Sequence, residues 1–139
     1  MARPSPSLRP GATALSRPFD PSGPVAIVDD DAAIRRAFRF AMRVVGREAI
    51  DFASAEEFLA ADPGRFACII MDQHMPFTTG LQLAERLRDM GCASPILLMS
   101  GDLSPYVVDR ASDLGIERVF DKPVALDDII AFMDAANGP

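Results

Sequence analysis

The sequence predicts a doubly wound α/β fold: a five-stranded parallel sheet with helices on both faces. Three observations predict it. From Val25 onward, five short apolar runs alternate with five stretches of helical character. Two of the runs, FACIIM (66–71) and PILLMS (95–100), lack a polar alternate, as strands buried on both faces must. Charged residues also follow the runs directly: Asp29 and Asp30 after PVAIV, Asp72 after FACIIM, and Lys122 just beyond RVF. In a parallel sheet the carboxyl ends of the strands gather along one edge, where open α/β sheets bind ligands.

The elements follow in order. VAIV (25–28) is the first strand. Residues 31–45 place Ile34, Phe38, Ala41 and Val45 on one helical stripe, opened by Asp31 and closed by Gly46. EAIDF (48–52) is a weaker strand. Ser54 caps a short helix, with Glu57 at capping-box spacing. FACIIM is the third strand, and GLQLAERLRDM (80–90) is a helix whose Leu81, Ala84 and Leu87 share a face. PILLMS is the fourth strand. A helix over 104–114, a short strand over 117–120 and a helix over 125–136 complete the alternation. The crossovers are expected to be right-handed.

Composition bounds the rest. A chain of 139 residues, 49% apolar, has room for one domain with a substantial core. Six of the twelve prolines fall at positions 4, 6, 10, 18, 21 and 24. A flexible extension is therefore expected over 1–23, a folded domain over 24–136 and a tail over 137–139. An arm around Leu15 and Phe19 that binds a partner or pairs two copies is the alternative role for the extension. Beyond residue 24 the chain holds 11 basic and 19 acidic residues, a net charge of −8 against −6 overall. An acidic domain repels phosphate backbones, so nucleic-acid binding by this chain is not expected. Cys68 and Cys92 read as free thiols in a reducing cytoplasm rather than a disulfide. No apolar run approaches the ~18–20 residues of a membrane span, and the N-terminus lacks the apolar core of a secretory signal.

The strand ends carry the chemistry. Carboxylates converging at one edge repel one another unless a cation sits among them. Asp29 and Asp30 point in different directions on leaving their strand, so one can ligate a metal directly and the other through water. Magnesium suits such a site, being held by few carboxylates and keeping several waters. Asp31 serves as the helix cap. Asp72 follows the most apolar strand, where an ionised carboxylate is costly unless paired or metal-bound. It reads either as a nucleophile toward a phosphoryl group or as a loop cap. Lys122 can pair with a phosphoryl oxygen or a carboxylate. Pro123 fixes the backbone after it, with a cis bond among the options. Ser100 reads as a hydroxyl donor at the fourth strand end or as a turn serine.

Together VAIVDDD, CIIMDQHMPFTTG (with proline four and glycine eight residues past Asp72), PILLMSG and FDKP resemble the receiver domain of two-component response regulators, across about residues 24–136. The resemblance implies a flavodoxin-like sheet of order 2-1-3-4-5. It implies Asp72 as phosphoacceptor, with Mg²⁺ held by Asp29, Asp30, Asp72 and the backbone carbonyl of Gln73. Ser100 and Lys122 are the residues expected to engage the phosphoryl group. It implies a sensor histidine kinase or phosphotransfer protein as donor, docking near Ile34, Pro123 and Val124, and a downstream protein target. Self-catalysed phosphorylation and slow hydrolysis are implied rather than turnover of an external substrate. His74 and Asp102 occupy positions that flank the path of the hydrolytic water. The family's aromatic switch position falls here on Val119. Phe120 is one residue off, and a one-residue offset in a strand points the ring to the other face.

A stand-alone receiver is the expected form, since the chain stops about where the fifth helix ends. A receiver cut from a longer transcriptional regulator is the alternative, and a homodimer through the fourth and fifth helices is a further expectation. From a different class comes a Mg-dependent phosphohydrolase with an aspartate nucleophile. Such enzymes place a second aspartate where this chain has His74. A nucleotide or flavin module ranks last, because GxGxxG and P-loop sequences are missing.

Overall fold

The structure is a computed structural model that describes Leu15 and residues 18–137. Five strands form one parallel sheet: β1 (Val25–Val28), β2 (Ala49–Phe52), β3 (Cys68–Asp72), β4 (Ile96–Ser100) and β5 (Arg118–Asp121). Their order is β2-β1-β3-β4-β5, the expected topology. The helices are α1 (Ala32–Val44), α2 (Ala55–Leu59), α3 (Gly80–Asp89), α4 (Pro105–Asp113) and α5 (Leu126–Asn137), with a 3₁₀ turn at Pro63–Arg65.

The alternation of strand side chains builds two cores. Ala26, Val28, Ile69, Met71, Ile96 and Leu98 face the layer that holds α3 and α4. Val25, Ile27, Cys68, Ile70, Leu97 and Met99 face α1 and α5. Every residue of β1, β3 and β4 is buried, which accounts for the unbroken apolar runs. Full burial of each Leu or Ile here stabilises the fold by about 1.5–3 kcal/mol. The outer strands differ: β2 is half-buried throughout, and only Phe120 of β5 is buried.

Local chemistry sets the helix ends. Asp31 caps α1 through its carboxylate, which accepts from the Ala33 and Ile34 N–H groups. The core face of α1 is Phe38, Ala41 and Met42, whereas Ile34 is exposed and Val45 half-buried. The predicted stripe is therefore rotated toward Met42. Ser54 accepts from Glu57 N–H, but the Glu57 carboxylate reaches Ala53 N–H instead of closing a box on Ser54. The complete box lies at α3, where Thr79 and Gln82 bond each other's backbone N–H. Arg88 of α3 donates to four carbonyls, those of Leu114, Cys92, Ser94 and Gly115, tying α3 to the loop before β4 and to the end of α4.

Most of the extension expected over 1–23 lies outside the described residues, as do residues 138–139 of the expected tail. Two described positions of the extension touch the domain. Leu15 lies against the core beside α3 and α4, and the Pro18 carbonyl accepts from Ala93 N–H at 2.7 Å.

Candidate functional site

The carboxyl ends of β1, β3 and β5 converge on one edge of the sheet. At the end of β1, Asp29 N–H donates to the Phe52 carbonyl of β2 at 3.1 Å. Asp29 Oδ1 accepts from Asp31 N–H at 2.9 Å. Arg35, one turn into α1, donates to the Asp29 carbonyl at 2.8 Å and to Asp51 Oδ2 at 3.0 Å. The loop carrying Asp29 and Asp30 is thus pinned to α1 and to the end of β2.

Carboxylate oxygens of Asp29, Asp30 and Asp72 lie within 4.8 Å of one another. Asp29 and Asp72 are 2% and 3% exposed, while Asp30 opens to solvent. Burial raises the Asp29 carboxyl from 3.8 to about 6, against the lowering effect of the Asp31 N–H; the nearby Asp72 charge adds to the rise, Lys122 opposes it, and Asp30 adds the least. Lys122 Nζ forms an ion pair with Asp72 Oδ1. That oxygen is buried. The Lys122–Pro123 peptide bond is cis.

One ammonium does not balance three carboxylates. The all-oxygen donor set and its excess negative charge fit a hard divalent cation such as magnesium. Gln73 does not share this wall. Its carbonyl accepts from Gly80 N–H at 3.1 Å and its side-chain Oε1 from Leu81 N–H at 2.8 Å, because the start of α3 folds back over β3. Gln73 thereby anchors the start of α3, and one of the two lone pairs of its carbonyl, expected as a cation ligand, is taken by Gly80 N–H. Gly80 explains the glycine eight residues past Asp72. A Cβ there would lie 2.6 Å from Leu98 Cδ1 and 2.7 Å from the Asp72 carbonyl oxygen.

A cavity of about 630 Å³ opens from this cluster between α1 and the loop after β5. Asp29, Asp30, Asp72 and Lys122 line its polar end, and Ile34, Ala37, Pro123 and Val124 its apolar end. The residues expected for chemistry and those expected for docking therefore share one cleft.

The remaining expected residues lie on β4, β5 and the loops after β3 and β4. Ser100 is fully buried at the end of β4, with its hydroxyl bonded to Asp102. Asp102 is exposed, and its carboxylate accepts from Ser104 N–H. His74 is exposed on the loop after β3. Val119 packs half-buried toward α4. Phe120 points to the opposite face, edge-on to Phe132 at 6.2 Å under the Arg118 guanidinium. The offset read from the strand period is thus realised. Sequence reasoning missed Arg35, although an arginine one turn past the DDD run was a readable signal.

Comparison with known proteins agrees with this fold. The profile of the response regulator receiver domain matches residues 25–134. The transcriptional regulatory protein FixJ of Bradyrhizobium diazoefficiens is 32% identical over 115 residues, 82% of this chain and 56% of its own length. The response regulator protein TmoT of Ectopseudomonas mendocina is 31% identical, over 91% of this chain and 58% of its own. The chain thus spans just over half the length of these curated relatives. The chemotaxis protein CheY4 of Vibrio cholerae superposes with a TM-score of 0.72 at 27% identity, covering 80% of this chain and 95% of the other. A response regulator receiver protein from Pseudomonas putida gives 0.70 at 27% identity, covering 86% and 98%.

Proposed function

The chain belongs to the response regulator receiver domain family of two-component systems, and on that premise we propose that Asp72 accepts a phosphoryl group from a phosphohistidine of a sensor kinase or phosphotransfer protein. The protein then signals through a partner contact that depends on phosphorylation. It acts as a signalling domain rather than as an enzyme with an external substrate. The observation that carries this reading is the buried Asp72 carboxylate, paired with Lys122 and crowded by two further carboxylates at the mouth of an open cleft.

Phosphoryl transfer needs positioning and charge neutralisation more than covalent help. An Asp72 oxygen attacks phosphorus in line, the P–N bond breaks, and its electron pair returns to the imidazole, which takes a proton. Lys122 already sits at the acceptor carboxylate and is placed to hold an equatorial oxygen of the phosphoryl group. Magnesium held by Asp29, Asp30 and Asp72 would neutralise the charge that gathers there. Ile34, Pro123 and Val124 form the apolar rim on which the donor rests. Exposed His74 stands on the loop after the acceptor and tunes water access, so His74→Ala changes the dephosphorylation rate while phosphorylation persists. The supporting features for a cytoplasmic setting are two buried free thiols and, among the described residues, no helix long and apolar enough to cross a membrane.

Intact mass after incubation with a small phosphodonor and magnesium tests the reading. Wild type gains one alkali-labile phosphoryl group, and Asp72→Asn gains none. A wild-type chain whose mass does not change, or an Asp72→Asn chain that gains the same mass, defeats it.

A further inference from the structure

The outer face of α1 and α5 carries a charge pattern that the acceptor cleft does not use. Every charged residue of α1 is an arginine, and every charged residue of α5 is an aspartate. The two helices pack against each other over one core on the same face of the sheet. Because all five strands are parallel, both helices run the same way, opposite to the strands. Arg35 and Arg39 lean toward Asp51 of β2. Arg36 and Arg43 are exposed and have no carboxylate partner among the described residues. Between them stands Phe40, 59% exposed, with Val44 one turn on at 56%. On α5, Asp127 and Asp134 are exposed, and the exposed side chain between them is the small Ala131. The two patterns match in length. Arg36 to Arg43 and Asp127 to Asp134 are each two helical turns, about 10.5 Å.

We propose that the α1–α5 face binds a second copy of this chain about a two-fold axis, with α1 of each copy lying antiparallel on α5 of the other. In that arrangement Arg36 meets Asp134, Arg43 meets Asp127 and Phe40 seats on Ala131, each contact occurring twice. Charge complementarity names the occupant. Pairing α1 with α1 would set guanidinium against guanidinium, and α5 with α5 carboxylate against carboxylate; only the crossed arrangement opposes unlike charges. The α4–α5 face expected from the sequence is disfavoured for the same reason. On α4 the exposed charges are Asp109 and Asp113, and Arg110 is already paired with Glu85. Exposed ion pairs contribute little affinity each, but they fix direction and register. Phe40 supplies the apolar burial, and the alanine opposite leaves room for its ring. A two-helix face about 20 Å long and 20 Å wide is at the low end of specific interfaces, so the dimer is weak and salt-sensitive. Asp72 takes no part in these contacts, so the pairing does not depend on its being the phosphoacceptor.

Sedimentation velocity on the full chain, without phosphodonor and at rising protein concentration, tests the pairing. Wild type should pass from monomer to dimer. Raising the salt from ~0.1 to ~1 M shortens the Debye length from about 10 to about 3 Å and should weaken the dimer. Reversing either stripe, as Arg36→Glu with Arg43→Glu or as Asp127→Lys with Asp134→Lys, should weaken it about tenfold or more. All four substitutions together oppose unlike charges again and should return the dimer to within about threefold of wild type. Circular dichroism checks that each variant is folded. Phe40→Ala should weaken the pairing about tenfold, whereas Tyr106→Ala on α4 should leave it unchanged. A wild-type chain that stays monomeric at its highest soluble concentration overturns the proposal. So does a dimer indifferent to either reversal or to Phe40→Ala, a folded chain with all four substitutions that stays monomeric, or a dimer lost in Tyr106→Ala.

Discussion

Removing the Asp29 charge should stabilise the protein without metal and abolish its response to magnesium. In Asp29→Asn the amide oxygen still accepts from Asp31 N–H, which Oδ1 does at 2.9 Å in wild type. Only the charge is lost. Its cost follows from the rise of the carboxyl from 3.8 to about 6. Two units at ~1.4 kcal/mol each give ~3 kcal/mol, and solvent entering beside exposed Asp30 reduces this to about 1–2 kcal/mol. The sign is fixed by linkage. A carboxyl with a raised folded value holds its proton more tightly when folded. Its contribution to stability is therefore complete below the unfolded value of 3.8 and is lost as pH rises through about 6. Urea titrations without metal should give the two proteins similar stabilities near pH 4. At pH 7 the variant should lead by about 1–2 kcal/mol, a gain of ~3–8 °C in melting temperature. Magnesium at a hundred times its dissociation constant should add ~2.7 kcal/mol to wild type and far less to Asp29→Asn, reversing their order. An Asp29→Asn protein no more stable than wild type at pH 7 without metal, or equally stabilised by magnesium, would refute the crowded-carboxylate account of the site.

Three further outcomes follow from particular contacts. Gly80→Ala forces a Cβ to within 2.7 Å of the Asp72 carbonyl, so it should cost about 1–3 kcal/mol and weaken magnesium-dependent stabilisation as well; a variant with normal stability and metal response would contradict the packing. Arg88→Met removes donors from four backbone carbonyls and should lower urea stability by ~2–4 kcal/mol. Arg88→Lys should not restore it, because an ammonium cannot reproduce the guanidinium fork. Burial pushes the Cys68 thiol up to about 12, so iodoacetamide should leave it unmodified in native protein and label it in urea; rapid native labelling would show the β3 core to be open.

The parts of the site readable in the sequence are those fixed by strand register. A carboxylate directly after VAIV or FACIIM must stand at the carboxyl edge, and parallel order brings those edges together, so Asp29, Asp30, Asp72 and Lys122 converge without knowledge of any rotamer. The Phe120 offset was readable for the same reason, since the strand period admits two faces and nothing between them. What stayed hidden depends on side-chain torsions or on contacts between distant segments. The partner of Ser100 Oγ is decided by one χ1 angle, and nothing in PILLMSG distinguishes Asp102 from Asp72 as its target. The hydrogen bond on the Gln73 carbonyl is set by how α3 returns over β3, a matter of Gly80 and not of strand pattern. Leu15 belonged by composition to a proline-rich extension, and its contact with the core joins positions too distant in sequence for periodicity to show. The division has a consequence for the switch. Register places Asp72, Asp29, Asp30 and Lys122 alike in any chain with these strand ends, whereas the Ser100 torsion and the residue at 119 are free to vary. The carboxylate edge is therefore common to the sheet, and the contacts around Ser100 and Val119 belong to this chain.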